Sequence, residues 1–420
     1  MKLVGEQSRS AKQIAAELAA LPGVGTAFAS TQAAWRFFNN DSITTPQLAS
    51  PLRQVARDEL AKSNTLFYLA ILDWSKIDYS KHSSKLDRAE FCNPGELGYS
   101  LTSVLAVDVF DGSPLEPLEI NLEASFGTLT SRHEKPQPSV HYLEQVAPIM
   151  DAADQWGILK RPVFAMDREF DSVEHYRKWH GAGHLYLVRA DLKRLVKYQG
   201  ETILLADLVK VLQRSKQFGK PKRIEYKGKS RKQHVAEAEV VLDRPAWKHK
   251  ADGTHKRIPG EALTLRLIVS EIRDNRGRVI STWLLFSNVP KDVTKETLAQ
   301  WYFWRWKIET FFKLLKTAGV CIEEWQQETA YAIIRRLLVA CMACAIVWRL
   351  DRMRDDESEA LKAFLVRLSG RQMKRSRPIT VSAMLDGLRV LLVMLDVLDQ
   401  YTASEIHRLA KPLLDYLKPP

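Results

Sequence analysis

Apolar and polar positions change period several times along the chain, and each change predicts a different kind of element. Residues 1 to about 62 read as helices. SRSAKQIAAELAAL has a Ser cap and helical spacing, STQAAWRFFNN follows a GVG break, and TTPQLASPLRQVARDELAK offers Thr45 as a cap before Pro46. Arg9, Lys12, Arg36, Arg53 and Arg57 make this a small basic helical domain, either a grip on DNA or a solvated bundle.

Beyond residue 63 the pattern becomes β-like. TLFYLAILD, residues 65–73, is an apolar run ending on Asp73, and GYSLTSVLAVDVFDGSPLEPLEINLEAS predicts two strands about an Asp111-Gly112 turn. A helical pattern covers SVHYLEQVAPIMDAADQWG. RPVFAMD is a second apolar run closing on an acid, Asp167, and after a short helix HLYLVR ends at Arg189. Three strands followed by helix, strand, helix, strand predict an α/β fold with a mixed sheet flanked by helices. This core extends over 63–350, with a β-rich insertion at about 190–290. Residues 351–420 return to helices, a region for dimerisation or DNA contact, with a basic break at SGRQMKRSRP.

The segment QWYFWRWKIETFFKLLK, residues 300–316, predicts one mostly buried helix with a polar seam. At about 100° per residue, Tyr302, Arg305, Glu309 and Lys316 fall within roughly 60° of arc. Lys307 falls on the apolar side and fits poorly. Periodicity leaves two readings of the seam open, a local Arg305–Glu309 ion pair or a functional face.

Composition narrows the choices. Lys and Arg outnumber Asp and Glu by 62 to 50, a net charge of +12, which points to a polyanionic partner. Between Arg214 and Arg257, fourteen Lys or Arg face five acids, a surplus of nine. There FGKPKRIEYKGKSRKQH and PAWKHKADGTHKR interleave basic and aromatic residues, which suits phosphates and unstacked bases. The cysteines Cys92, Cys321, Cys341 and Cys344 are too few for a disulfide framework. Cys341 and Cys344 form a CxxC inside an apolar helical run with no second metal-ligand pair, so packing is the expected role. The start lacks the apolar core of a signal peptide, and the longest apolar run, Leu337 to Trp348, is too short to span a bilayer. The expected location is a reduced cytoplasm, with no membrane partner.

Asp73 and Asp167 each follow an apolar strand, where α/β sheets gather functional groups; a turn or helix cap is the ordinary role of a single such acid. With Glu309 they make three carboxylates without His or Cys, a donor set for Mg²⁺ or Mn²⁺. Two such ions about 3.5–4 Å apart activate a water or 3′-hydroxyl and stabilise the leaving oxygen of a phosphodiester. Competing motifs fail: Gly228-Lys229-Ser230 lacks the earlier glycine of a phosphate loop, and no HExxH, GxSxG or EF-hand loop is present.

Tyr302-x2-Arg305-x3-Glu309-x6-Lys316 resembles the YREK signature of DDE transposases of the insertion-sequence-four family. LAILD resembles that family's first-Asp segment, AMDREFDSVEHY its second, and QAAWRFFNND its N-terminal domain. The motifs keep family order from about residue 5 to about 350. The resemblance implies a cut-and-paste transposase on an RNase H-like core, acting as a DNA-bridged homodimer on terminal inverted repeats and target DNA. It implies that Asp73, Asp167 and Glu309 bind two metal ions and that Tyr302, Arg305 and Lys316 hold the phosphate of the transposon end. Arg189 takes the place of a further phosphate-binding Arg. Trp283, in STWLLFSN, matches a Trp that stacks on a flipped base, and ordinary strand packing is its alternative role. Trp74-Ser75 after the first Asp departs from the family, where Thr is frequent. A Mg²⁺ nuclease on the same fold and a non-catalytic DNA-binding protein are the competing functions.

Overall fold

The computed structural model describes residues 25–91, 93, 95–249, 255–317, 319–371 and 379–416. The expected first helix with Arg9 and Lys12, Cys92, and most of the basic SGRQMKRSRP break lie outside these residues. Two helices open the described chain, α1 (Gly25–Phe38) and α2 (Thr45–Ala61). Thr44, not Thr45, caps α2, in a capping box with Gln47. The Thr45 hydroxyl instead donates to the Thr130 carbonyl at 2.7 Å.

The strands are β1 (Phe67–Asp78), β2 (Ala89–Glu90), β3 (Leu97–Val107), β4 (Pro114–Ala124), β5 (Gly127–Thr130), β6 (Arg161–Met166) and β7 (Leu185–Arg189). Helices α3 (Tyr142–Asp151) and α4 (Val173–Gly181) precede β6 and β7 respectively. Across the sheet these strands run β5-β4-β3-β1-β6-β7, with β3 antiparallel to β1, and β6 and β7 parallel to it. Three antiparallel strands joined to two parallel crossovers make the mixed sheet expected from the alternation of elements, in the RNase H-like order that the resemblance implies.

The insertion comprises β8 (Leu195–Tyr198), β9 (Glu201–Leu204), α5 (Leu205–Arg214), β10 (Lys222–Tyr226), β11 (Lys229–Leu242), β12 (Ala246–His249), β13 (His255–Ile258), β14 (Leu263–Arg273) and β15 (Val279–Ser287). It continues the core sheet, because β15 pairs antiparallel with β7 and β14, β11, β8 and β9 follow outward. The basic stretch FGKPKRIEYKGKSRKQH becomes the β10–β11 hairpin, turned by Lys227 and Gly228 at positive φ.

The remaining helices are α6 (Lys295–Trp304), α7 (Lys307–Lys316), α8 (Ala330–Arg352), α9 (Asp356–Leu368), α10 (Val381–Leu398) and α11 (Ala403–Tyr416). Side chains alternate along β1: Leu69 and Ile71 join the core against α6–α8, while Tyr68, Ala70 and Leu72 join the core of α3–α5. By length and composition α8 matches a bilayer span, but 78% of its apolar window is buried inside the fold. Cys341 and Cys344 sit within that buried surface as packing residues. Phe38, Ala49 and Leu52 join the same core. Arg335 of α8 donates to the Phe38 and Ile43 carbonyls, and Arg53 to the Leu118 carbonyl. Arg57 donates to the Trp156 carbonyl. Two of the basic residues expected on a free helical domain therefore fasten it to the core.

Candidate active site

Strand parity and register place the first three candidates. Ile71 pairs with Ala165, and Ala165 with Leu187, all three on the core face turned to α6–α8. Two residues further along each strand come Asp73, Asp167 and Arg189. Because side chains return to the same face every second residue, these form one row across three neighbouring strands, acid, acid, guanidinium.

Asp73 is not the end of its strand. β1 runs on to Asp78 and stays paired with β3, Asp73 opposite Ser103. What ends is the parallel pairing with β6, whose last register pair is Ile71–Ala165. Asp73 thus lies where β1 and β6 part, which opens a gap for its side chain. Asp167 directly follows the last residue of its strand. Its Oδ1 accepts the Glu169 amide at 2.7 Å and caps the short 3-10 turn Arg168–Phe170, so the ordinary capping role is also filled.

The helices above the row supply the rest, with a correction. Residues 300–316 form two helices, because the chain tightens at Arg305–Trp306 through Arg305 N–H to Tyr302 O and Ile308 N–H to Arg305 O. Trp304, just before the break, packs on Gly112 in the β3–β4 turn. Gly112 has φ +75°, and a Cβ there would overlap the indole. The break also resolves the misfit of Lys307, which starts α7 as a half-buried residue.

Arg305 joins helix to sheet. Its Nη1 lies 3.0 Å from Asp73 Oδ2 and its Nη2 2.8 Å from Glu309 Oε1. Its side chain is 5% exposed, against 42% for Glu309. The local Arg305–Glu309 ion pair that periodicity allows is present, and the same guanidinium reaches an acid of the sheet. Burial, joined by the nearby charges of Asp167 and Glu309, holds the Asp73 carboxyl up at about 7 against the opposing pull of Arg305 and the Trp74 amide. The three acids therefore share one electrostatic site.

Tyr302 is 1% exposed, and among the described residues its hydroxyl and the Arg305 Nε, buried beside each other, meet no partner in good hydrogen-bond geometry. Burial drives the Tyr302 hydroxyl to about 12, against the pull of Arg305 and Arg189. Arg189 has no acidic partner among the described residues.

Two candidates stand apart. Lys316 lies at the far end of α7, 3.4 Å from Glu323 and beside Asp78 rather than Asp73. Trp283 is 3% exposed, packed edge-on to Tyr226 and Tyr302 with centroids 6.1 and 5.6 Å away, and tilted against Phe303. It occupies the strand-packing role, with no free face for a base.

Sequence reasoning missed an aromatic clasp behind the acids. Trp74 points to the opposite face from Asp73 and meets Phe170 at 4.4 Å and Tyr142 at 4.2 Å. It thereby ties the residue after the first acid to the turn after the second. The available signal was the unexpected Trp following Asp73. Glu169 is a fourth acid here, raised by burial and by Asp167.

The donor set suits a hard divalent cation, since all three groups are carboxylates, whose hard oxygens match it. Among the described residues no three His, Cys, Asp or Glu side chains are gathered closely enough to hold an ion as they stand. Arg305 accounts for that spacing at Asp73 and Glu309.

No curated protein matches the chain. A cryo-EM structure of piggyBac transposase in a synaptic complex with hairpin DNA shares 8% identity at a TM-score of 0.37, over 85% of this chain and 58% of that one. The chain spans less than two thirds of that protein. Residues 124–345, which include Asp167, Arg189, Trp283 and the whole 302–316 seam but not Asp73, match the family described as Transposase DDE domain. That match covers more than half of the 420 residues, and the chain belongs to this family of DDE transposase domains.

Proposed function

We propose that the chain is a cut-and-paste transposase of the insertion-sequence-four type, which nicks transposon ends and joins them to target DNA as a DNA-bridged homodimer. The observation that carries the reading is the Asp73–Arg305–Glu309 bridge above Asp167 and Arg189. Asp73, Asp167 and Glu309 would hold Mg²⁺ or Mn²⁺, two per site. When bound, the metal would supply an activated attacking oxygen and neutralise charge on the phosphate.

The chain's own residues bind and orient the phosphate. Arg305 exchanges its carboxylate partners for phosphate oxygens, using the forked geometry that suits both. Its free Nε and the Tyr302 hydroxyl are buried donors that a phosphate oxygen would satisfy. Arg189 brings a second guanidinium from the sheet. The exposed Lys222, Arg223, Lys227 and Lys229 of the β10–β11 hairpin track the DNA backbone. Lys222 bonds Gln300 at 3.1 Å, which sets the hairpin beside the helix of Tyr302. A nick frees a 3′-hydroxyl, which attacks the opposite strand to give a hairpin; the reopened end then joins target DNA.

The test is a joining assay with a pre-cut transposon end and Mg²⁺. Joined products support a transposase. Hydrolysis without joining assigns a nuclease on the same fold instead.

A further inference from the structure

Around the strand ends from the acidic row lies a cavity of about 690 Å³ that the proposed chemistry does not use. It is built from three connections: the start of α4 after the Asp167 turn, the link from β7 to β8, and the link from β11 to β12. Its wall is preorganised. Asp171, with a side chain 3% exposed, is paired with Arg194 at 2.9 Å and also accepts the Asp191 amide and the Tyr176 hydroxyl. That acid is neutralised and would not repel an anion.

The rim and the floor differ in character. Arg168, Lys193 and Arg244 are exposed at the rim. Lys193 and Arg244 have no acidic partner among the described residues, and Arg168 has only Asp191 at 3.9 Å. The floor carries Val173 and Leu242, which are 9% and 2% exposed. A cationic rim over an apolar floor matches a ligand with a flat, weakly polar body and an attached phosphate. Arg168 directly follows Asp167, so the rim begins one residue beyond the acidic row.

We propose that this cavity is a subsite for a single nucleotide unit, its base on the apolar floor and its phosphates on Arg168, Lys193 and Arg244. The inference rests on the transposase reading, in which the unit is an unpaired nucleotide of the bound DNA strand.

The test uses the full chain and fluorescence anisotropy, with a blunt duplex and the same duplex carrying a short single-stranded overhang. Wild type should bind the overhang form about tenfold tighter, the worth of a charge-assisted contact. Lys193→Gln with Arg244→Gln should erase that preference, keep most of the blunt-duplex affinity and leave the melting temperature unchanged. Free deoxynucleoside monophosphate should compete with the overhang form only. Equal wild-type affinities, equal losses on both duplexes in the variant, or no competition would each overturn the subsite while leaving the transposase reading intact. Failure of wild type to bind either duplex would overturn that reading and the subsite with it.

Discussion

Arg305 Nη1 lies 3.0 Å from Asp73 Oδ2, across 232 positions of sequence, and its Nη2 bonds Glu309 one turn away. One guanidinium thus holds a helix acid over a sheet acid. Arg305→Ala should destabilise the fold by about 2 kcal/mol at pH 8, because it leaves paired carboxylates uncompensated in a partly buried site. The loss should shrink below pH 7, where Asp73 takes up a proton, and denaturation midpoints at pH 8 and pH 5 measure it. Arg305→Lys should restore most of the stability and little of the nicking, since an ammonium cannot reach both acids with a fork.

Asp73 itself carries a pH signature. Its folded-state pKa of about 7 stands above the ordinary 3.8, so between these values the folded chain keeps a proton that the unfolded chain has released. This group's contribution therefore falls as pH rises from about 4 to 7 and stays low above. Asp73→Asn should raise stability at pH 8 by roughly 1 kcal/mol, with little gain at pH 4, while abolishing cleavage. A variant less stable than wild type at pH 8 would refute the crowding of the three acids.

Trp74 should matter as a clasp. Trp74→Ala opens a gap against Phe170 and Tyr142 and should cost about 2 kcal/mol. Nicking should fall while affinity for the transposon end is kept, and Trp74→Phe should recover most of both losses. Loss of end affinity equal to the loss of nicking would point to direct DNA contact instead.

Trp283 should behave as a core residue. Trp283→Ala should cost about 3 kcal/mol in chemical denaturation, and Trp283→Phe should nick nearly as wild type. Loss of cleavage in a fully stable Trp283→Ala would return it to base stacking.

Much of this arrangement was legible in the sequence, and what was hidden has physical reasons. The apolar runs around Leu69 and Ala165, the acids that follow them, and the Tyr302–Glu309 spacing are local patterns and could be read directly. The helix break after Trp304 could not, because aromatic residues crowd several faces of the segment and the residue Trp304 packs on, Gly112, is almost two hundred positions away. The continuation of β1 to Asp78 was masked because WSKID is half-exposed or exposed except at Ile77 once β6 departs. The fusion of the insertion to β7 depends on an edge pairing that composition does not record. Charge counts marked Arg53 and Arg57 as surface groups, yet their carbonyl partners come from distant strands and turns.

The most direct test of the central claim is nicking of transposon-end DNA in Mg²⁺ by Glu309→Ala, with end affinity measured on the same protein. If Asp73, Asp167 and Glu309 serve one site, the variant binds the end as wild type does and makes no nick. Cleavage retained by Glu309→Ala would contradict the account.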